Sequence, residues 1–228
     1  RKPLGKSAHL DKYGEIQITQ LPPLYRGEAH IEHFDSVDAF ADDCLLSDKF
    51  DPRDALAFGV PRKGDINEWD VVTKDKEDAG SLARTAENFH WRADTPAIML
   101  LDLDGFDGVT NMTAADSDSR LCRVAPWLEP ARRIYVPSSS SCIYAEDSDG
   151  DVLLSRKIAF HCYLAVDDGS LIPDIGRALV KALIEAGEGH VRFARDGGVL
   201  LRTLVDGAVW QPERLDYAFG VTLDSDGD

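Results

Sequence analysis

A chain of 228 residues with 43% hydrophobic side chains is long enough to bury a sizeable core, and no apolar run approaches the roughly 18 residues that a membrane-crossing helix needs. A net charge of -16, from 41 acidic against 25 basic side chains, excludes a surface that coats nucleic-acid backbones by overall charge. The cysteines Cys44, Cys122, Cys142 and Cys162 form no Cys-x-x-Cys pair and no secretory signal opens the chain, so a soluble, cytoplasmic protein with buried free thiols is expected, neither membrane-bound nor built on zinc or disulfides.

The chain opens on Arg1 rather than Met, which leads us to expect a piece of a longer protein. Gly14 to Gln20 alternates like a strand. Asp35-Ser36 can cap a helix over Val37 to Leu46, with Val37, Phe40, Ala41, Cys44 and Leu45 on its apolar face. Pro61 to Lys76 is polar and irregular, and Asp78 to Phe89 has the spacing of a short helix that ends before Pro96. Ala97 to Leu101 is a continuous apolar run ending in Asp102-Leu103-Asp104-Gly105, the pattern of a buried strand with acids at its mouth. Thr113 to Val124 predicts a helix, and Arg132 to Pro137 a strand entering the loop Ser138 to Ser141.

Cys142 to Ala145 and Asp151 to Ser155 flank an acidic turn and predict a hairpin. Lys157 to Val166 predicts a strand with Ala159, His161, Tyr163 and Ala165 on one face and Ile158, Phe160, Cys162 and Leu164 on the other. Pro173 to Ala186, with Pro at its start and Gly187 beyond its end, predicts an amphipathic helix. His190 to Ala194 and Val199 to Val205 predict a second hairpin, ending at Asp206. The acidic excess is uneven. Residues 120–214 hold 12 basic against 13 acidic side chains, which leaves room there for a locally cationic groove.

Asp102 and Asp104 lie two apart on one strand, so their side chains point the same way and can hold a hard divalent cation between them. A surface turn would have the same spelling. His161 is either a buried structural histidine or a ligand contact. Asp206 repeats the layout of an apolar stretch followed by a carboxylate, although a cap or turn beside Gly207 explains it equally. Arg202 alternates onto the face of Asp206, and Arg84, Arg156, Lys157 and Arg214 are further candidate phosphate contacts, although a solvated surface charge is the simpler reading of any one of them. Tyr163 shares the face of His161, where core packing competes with stacking on a base or sugar.

An Asp-x-Asp, a later strand histidine and a carboxylate after a short apolar stretch, together with Met99 to Asp104, Pro137 to Ser141, Phe160 to Gly169 and Val205 to Asp216, resemble the archaeo-eukaryotic primase superfamily. The likeness is to plasmid- or phage-type primase-polymerase domains of bacteria. It spans roughly residues 84–217, the motif-bearing catalytic core, with 1–83 as the N-terminal part of the catalytic domain and 218–228 as an acidic tail. Ala159 departs from the pattern, since the superfamily usually has a small polar residue two before the histidine.

The resemblance implies an α+β (α/β-like) fold, a mixed central sheet with flanking helices. It implies a DNA primase-polymerase, a nucleotidyltransferase that adds nucleoside triphosphates to a primer or initiating nucleotide on a single-stranded DNA template. Asp102, Asp104 and Asp206 would bind Mg2+ or Mn2+, and His161 would contact the incoming nucleotide's phosphates. Ser138, Ser139, Ser140, Arg202 and Lys157 are candidate nucleotide contacts, and a helicase is an implied neighbour. Two rivals share these residues: a two-metal nuclease, and a replication-initiation DNA-binding module without catalysis.

Overall fold

Helices and strands intermix along the chain, giving an α+β protein whose strands are parcelled into six small sheets among the described residues. The computed structural model describes residues 6–10, 16–20, 26–52, 54–62, 67–103, 112–139, 141, 144–147, 150–153, 158–194, 197–220 and 222–223. Strands β1 (Lys6–Leu10), β2 (Ile16–Gln20) and β3 (Arg26–His30) come first, then helix α1 (Val37–Phe40) and the strands β4 (Val60–Pro61), β5 (Glu68–Val72), β6 (Ser81–Ala83) and β7 (Phe89–His90). They are followed by β8 (Ala97–Leu103), α2 (Ala114–Val124), β9 (Arg133–Pro137), β10 (Tyr144–Asp147), β11 (Gly150–Leu153) and β12 (Phe160–Val166). Helix α3 (Ile172–Glu185), β13 (Gly189–Phe193), β14 (Val199–Thr203) and β15 (Thr222–Leu223) close the order.

The apolar run at Ala97 organises the core. Its strand β8 pairs along its full length with β12, which pairs on its other edge with β9. A strand with a buried neighbour on both faces has no room for alternation, and β8 accordingly reads as a continuous apolar run. On one face Leu100 lies across from Tyr163, and the Phe40 ring of α1 meets Tyr163 edge-on at 5.4 Å. On the other, Asp118 of α2 accepts from Arg133 Nε at 2.7 Å and from the Tyr135 hydroxyl at 2.8 Å. Met99, Leu101, Leu103, Leu121, Cys162, Leu179 and Leu183 fill the same buried cluster.

The free edge of β8 is closed by the irregular segment after β14. Asp206 N–H donates to Asp102 O at 2.9 Å, and Trp210 Nε1–H donates to Leu100 O at 2.9 Å. Two carbonyls that would otherwise be orphaned on a buried edge are thereby satisfied. Gly176 lets α3 approach: a Cβ there would stand 2.2 Å from the Trp210 ring. The same segment is tied to the N-terminal half by Gly59 N–H to Pro212 O at 3.1 Å and by paired backbone bonds between Leu56 and Asp216 at 2.9 and 2.8 Å.

The capped helices follow their sequence signals. Ser36 accepts from Ala39 N–H, and Thr113 and Asp116 form a reciprocal capping box. Gly187 takes φ +78° directly after α3, the conformation for which glycine carries no Cβ penalty. The helix predicted over Val37 to Leu46 divides: after Phe40 the chain opens into a π-helical turn, Ala41–Leu45.

Asp78 to Phe89 is a correction. Ser81–Ala83 is a strand parallel to β5, Phe89–His90 is a short strand paired with β4, and a turn at Thr85 joins them. The polar stretch before it also contains strand β5, and the C-terminal hairpin strand stops at Thr203 instead of reaching Val205. The central sheet of β8, β12 and β9 is antiparallel where a mixed one was expected, and among the described residues parallel pairing occurs between β1 and β15 and between β5 and β6. Cys44, Cys122 and Cys162 are free thiols, Cys122 only half-buried, while Cys142 lies outside the described residues. No helix among the described residues is long and apolar enough to cross a membrane.

Candidate functional site

Because side chains alternate along a strand, Asp102 points to the same side of β8 as Leu100, and its direct partner on β12 is His161. His161 Nε2 lies 3.8 Å from Asp102 Oδ1. The bond from Asp206 N–H to Asp102 O brings the second carboxylate to the opposite edge of the same strand end. Two acids 104 positions apart in sequence thus flank one backbone carbonyl. Both keep 23% of their side-chain surface exposed, although Asp102 Oδ1, the oxygen facing His161, is itself buried.

Asp206 also acts as a cap. Its carboxylate accepts from Ala208 N–H at 3.0 Å at the start of the short 3-10 helix Gly207–Trp210, and Arg202 Nη1 stands 3.6 Å from its other oxygen. The two explanations offered for this residue are therefore compatible, because capping occupies Oδ1 and leaves Oδ2 toward Arg202. Asp104 lies outside the described residues, as do Ser140, Arg156 and Lys157.

Behind the imidazole is a carboxylate that the sequence did not single out. Asp216 Oδ1 lies 2.9 Å from His161 Nδ1, and its Oδ2 accepts from the Tyr163 hydroxyl at 2.6 Å. Tyr163 is fully buried, so it packs in the core and does not offer its ring to a base. Burial, reinforced by the charge of Asp216, raises the Tyr163 pKa well above its ordinary value, which keeps the phenol a hydrogen-bond donor. A lone Asp in an irregular stretch carries no periodicity or spacing by which it could be recognised. Only the fold, through the Leu56 bridge, delivers it to His161.

The serine loop folds back onto β12. Ser138 N–H donates to Ala159 O at 2.9 Å, and the Ser141 hydroxyl accepts from Ala159 N–H at 2.9 Å and donates to Ala159 O at 3.0 Å. The Ser138 and Ser141 hydroxyls lie 2.9 Å apart. Ala159, where the primase-like pattern would have a small polar residue, thus has a hydroxyl against its backbone, contributed by Ser141 from 18 residues upstream. Ser139 is buried with no hydrogen-bond partner for its Oγ among the described residues. Arg84 is engaged elsewhere, donating to Glu213 O at 2.7 Å.

Among the described residues, no group of three or more His, Cys, Asp or Glu side chains is arranged to hold a metal ion. Asp102 and Asp206 are nevertheless donors of the right chemistry for a hard cation: carboxylate oxygens, partly exposed, on backbone fixed by a shared hydrogen bond. A cleft of about 950 Å³ lies at the other end of the central sheet, against Ala97, Ile98 and Ala165, and is lined by Phe58, Trp69 and Trp91. It is separate from the strand end that carries Asp102 and His161. No family model, no curated protein and no solved structure matches the chain.

Proposed function

We propose that the protein is a divalent-metal-dependent nucleotidyltransferase of the primase-polymerase kind, adding nucleoside triphosphates to a strand paired with a single-stranded DNA template. The observation that carries the reading is the hydrogen bond from Asp206 N–H to Asp102 O, with His161 directly across the ladder from Asp102. Acids and histidine that would be unrelated in a structural role converge on one strand end.

Asp102 and Asp206, with Asp104 as the third carboxylate implied by the resemblance, would hold Mg2+ or Mn2+. A cation bound there supplies charge neutralisation at the transferring phosphoryl group and lowers the pKa of an attacking hydroxyl. His161 directs Nε2 to the same side as Asp102, where it donates to a triphosphate oxygen. Arg202 stands beside Asp206 and offers its guanidinium fork to phosphate. The serine loop, pinned at Ala159 two residues before His161, supports the start of that strand. A template channel would draw on local basic residues, and a helicase, on the same parent chain or separate, is the neighbour that the resemblance implies.

The test is incubation of a labelled primer on a single-stranded template with Mn2+ and nucleotides. Elongated products support the reading, shortened products indicate a nuclease, and an unchanged primer sinks both. Asp102→Asn should abolish elongation while leaving the folded circular-dichroism spectrum intact, and elongation at the wild-type rate would remove the metal role. Template affinity should fall steeply between low and moderate salt, and a flat response would remove the cationic groove.

A further inference from the structure

We infer that Asp216, itself held by Tyr163 and by the backbone of Leu56, is the positioning residue of His161 and fixes which ring nitrogen faces the site. The inference rests on the functional reading above for its consequence, though not for its geometry. Asp216 has only 2% of its side chain exposed, and a carboxylate in such a place is costly unless it is hydrogen-bonded and paired. Among the described residues no Lys or Arg meets it. Its Oδ2 accepts from the Tyr163 hydroxyl at 2.6 Å, and its Oδ1 lies 2.9 Å from His161 Nδ1, closer than the Tyr163 hydroxyl, which stands 3.3 Å from the same nitrogen.

The arrangement is one-sided. A ring flip would carry Nδ1 away from Asp216 and put a carbon against the carboxylate, forfeiting a 2.9 Å charge-assisted contact with a buried oxygen that has no hydrogen-bond partner among the described residues. Asp216 therefore commits Nδ1, and Nε2 is the nitrogen directed to Asp102 at 3.8 Å. A carboxylate that orients an imidazole in this way recurs wherever a histidine must present one defined nitrogen.

The anchor of the device lies outside its own strand. Paired Leu56 and Asp216 backbone bonds at 2.9 and 2.8 Å fix the Asp216 main chain, while the phenol of fully buried Tyr163 fixes its second oxygen. Tyr163 lies two residues from His161 on the same face of β12. One strand thus supplies both the group being oriented and the clamp on its orienter.

The experiment compares wild type with Asp216→Asn and Tyr163→Phe. Proton–nitrogen NMR of the wild type should show a slowly exchanging, downfield imidazole N–H, assigned by its loss in His161→Gln. In Asp216→Asn that signal should disappear. The nucleotide KM should rise about 10- to 100-fold, the range typical when an outer partner of a functional histidine is lost, with template affinity unchanged. Tyr163→Phe, which keeps the carboxylate but removes its clamp together with a hydroxyl 3.3 Å from Nδ1, should shift the same proton and raise KM by a smaller factor. It serves as the test if Asp216→Asn does not fold.

An unaltered N–H signal in whichever variant folds, or a nucleotide KM equal to wild type, overturns the positioning role. If the wild type binds no nucleoside triphosphate at all, the functional reading falls and this role falls with it. That outcome is distinct from a wild type that binds and a variant that binds equally well, which refutes this inference alone.

Discussion

The central sheet and the β13–β14 ribbon are both antiparallel and both rich in large apolar residues, yet they end in opposite environments. In the sheet, Leu101, Cys162 and Tyr163 are fully buried. In the ribbon, Val191 pairs with Leu201 and Phe193 with Val199, and these four share a face with exposures of 56, 56, 72 and 66%. Strand alternation decides which side chains share a face, but whether that face is covered depends on what the rest of the chain brings over it. α1 and α2 cover the sheet, and the segment from Leu204 to Trp210 covers its edge. Nothing among the described residues covers the ribbon's apolar face.

The covered sheet should be most sensitive to loss of its edge closure. Trp210→Ala takes away a buried ring and the donor to Leu100 O. It should cost about 3–5 kcal/mol, as large aromatic deletions do, with the leftover carbonyl adding to the loss. Urea unfolding monitored by circular dichroism measures it, and a loss below about 1 kcal/mol would show that the segment is only loosely docked. Gly176→Ala is sharper because two principles oppose each other. Helix propensity alone favours alanine by about 1 kcal/mol. The new Cβ, however, meets the Trp210 ring at 2.2 Å, so a net destabilisation of about 1–3 kcal/mol is expected. Displacement of Trp210 should also disturb Asp206 four residues earlier, so elongation should fall together with stability.

A weaker probe acts at the polar clamp of β9. Arg133 donates to Asp118 and lowers its pKa, with the Tyr135 hydroxyl adding to the effect. A carboxyl whose folded pKa lies below its unfolded value of about 3.9 stabilises the fold fully above that pH, and loses the contribution as pH falls through the folded value. Asp118→Asn should therefore melt earlier than wild type near neutrality, and the gap in melting temperature should close as the pH drops below about 4. A gap independent of pH would mean that the contact is steric and not electrostatic.

What was legible in the sequence follows the same division. Ala97–Leu103 and Ile172–Glu185 were readable because a buried strand and a two-sided helix each leave a pattern on their own residues. Asp78 to Phe89 misled because Leu82, Ala83, Ala86 and Phe89 fall at helical spacing, whereas the chain there is fixed from outside. β6 pairs with β5, and Asn88 Nδ2 donates to Ala83 O. Strand β5 was missed because only Val71 of its five residues is buried, which leaves no alternation to detect. At the candidate site, Asp102 and Asp206 are legible as carboxylates that follow apolar runs, His161 as a histidine within a strand and Arg202 by alternation onto the face of Asp206. Asp216 is not, since its role depends on a backbone bridge to Leu56, 160 positions earlier.

The smallest expected effect is on the ribbon, and it is the cleanest statement of the contrast. Phe193→Ser and Val199→Thr, singly or together, remove apolar surface that is already in water. The transfer free energy that makes a buried phenylalanine worth several kcal/mol is therefore absent, and global stability should change by no more than about 0.5 kcal/mol per site. What should change is association: a two-stranded ribbon with four exposed apolar residues on one face invites contact with another surface, and polar replacements weaken that contact without touching the core. Light scattering across a concentration series, read beside urea melts of the same samples, separates the two quantities. A loss of stability above about 1 kcal/mol would mean that the ribbon's apolar face is covered in solution, and the distinction between the covered sheet and the open ribbon would then have to be abandoned.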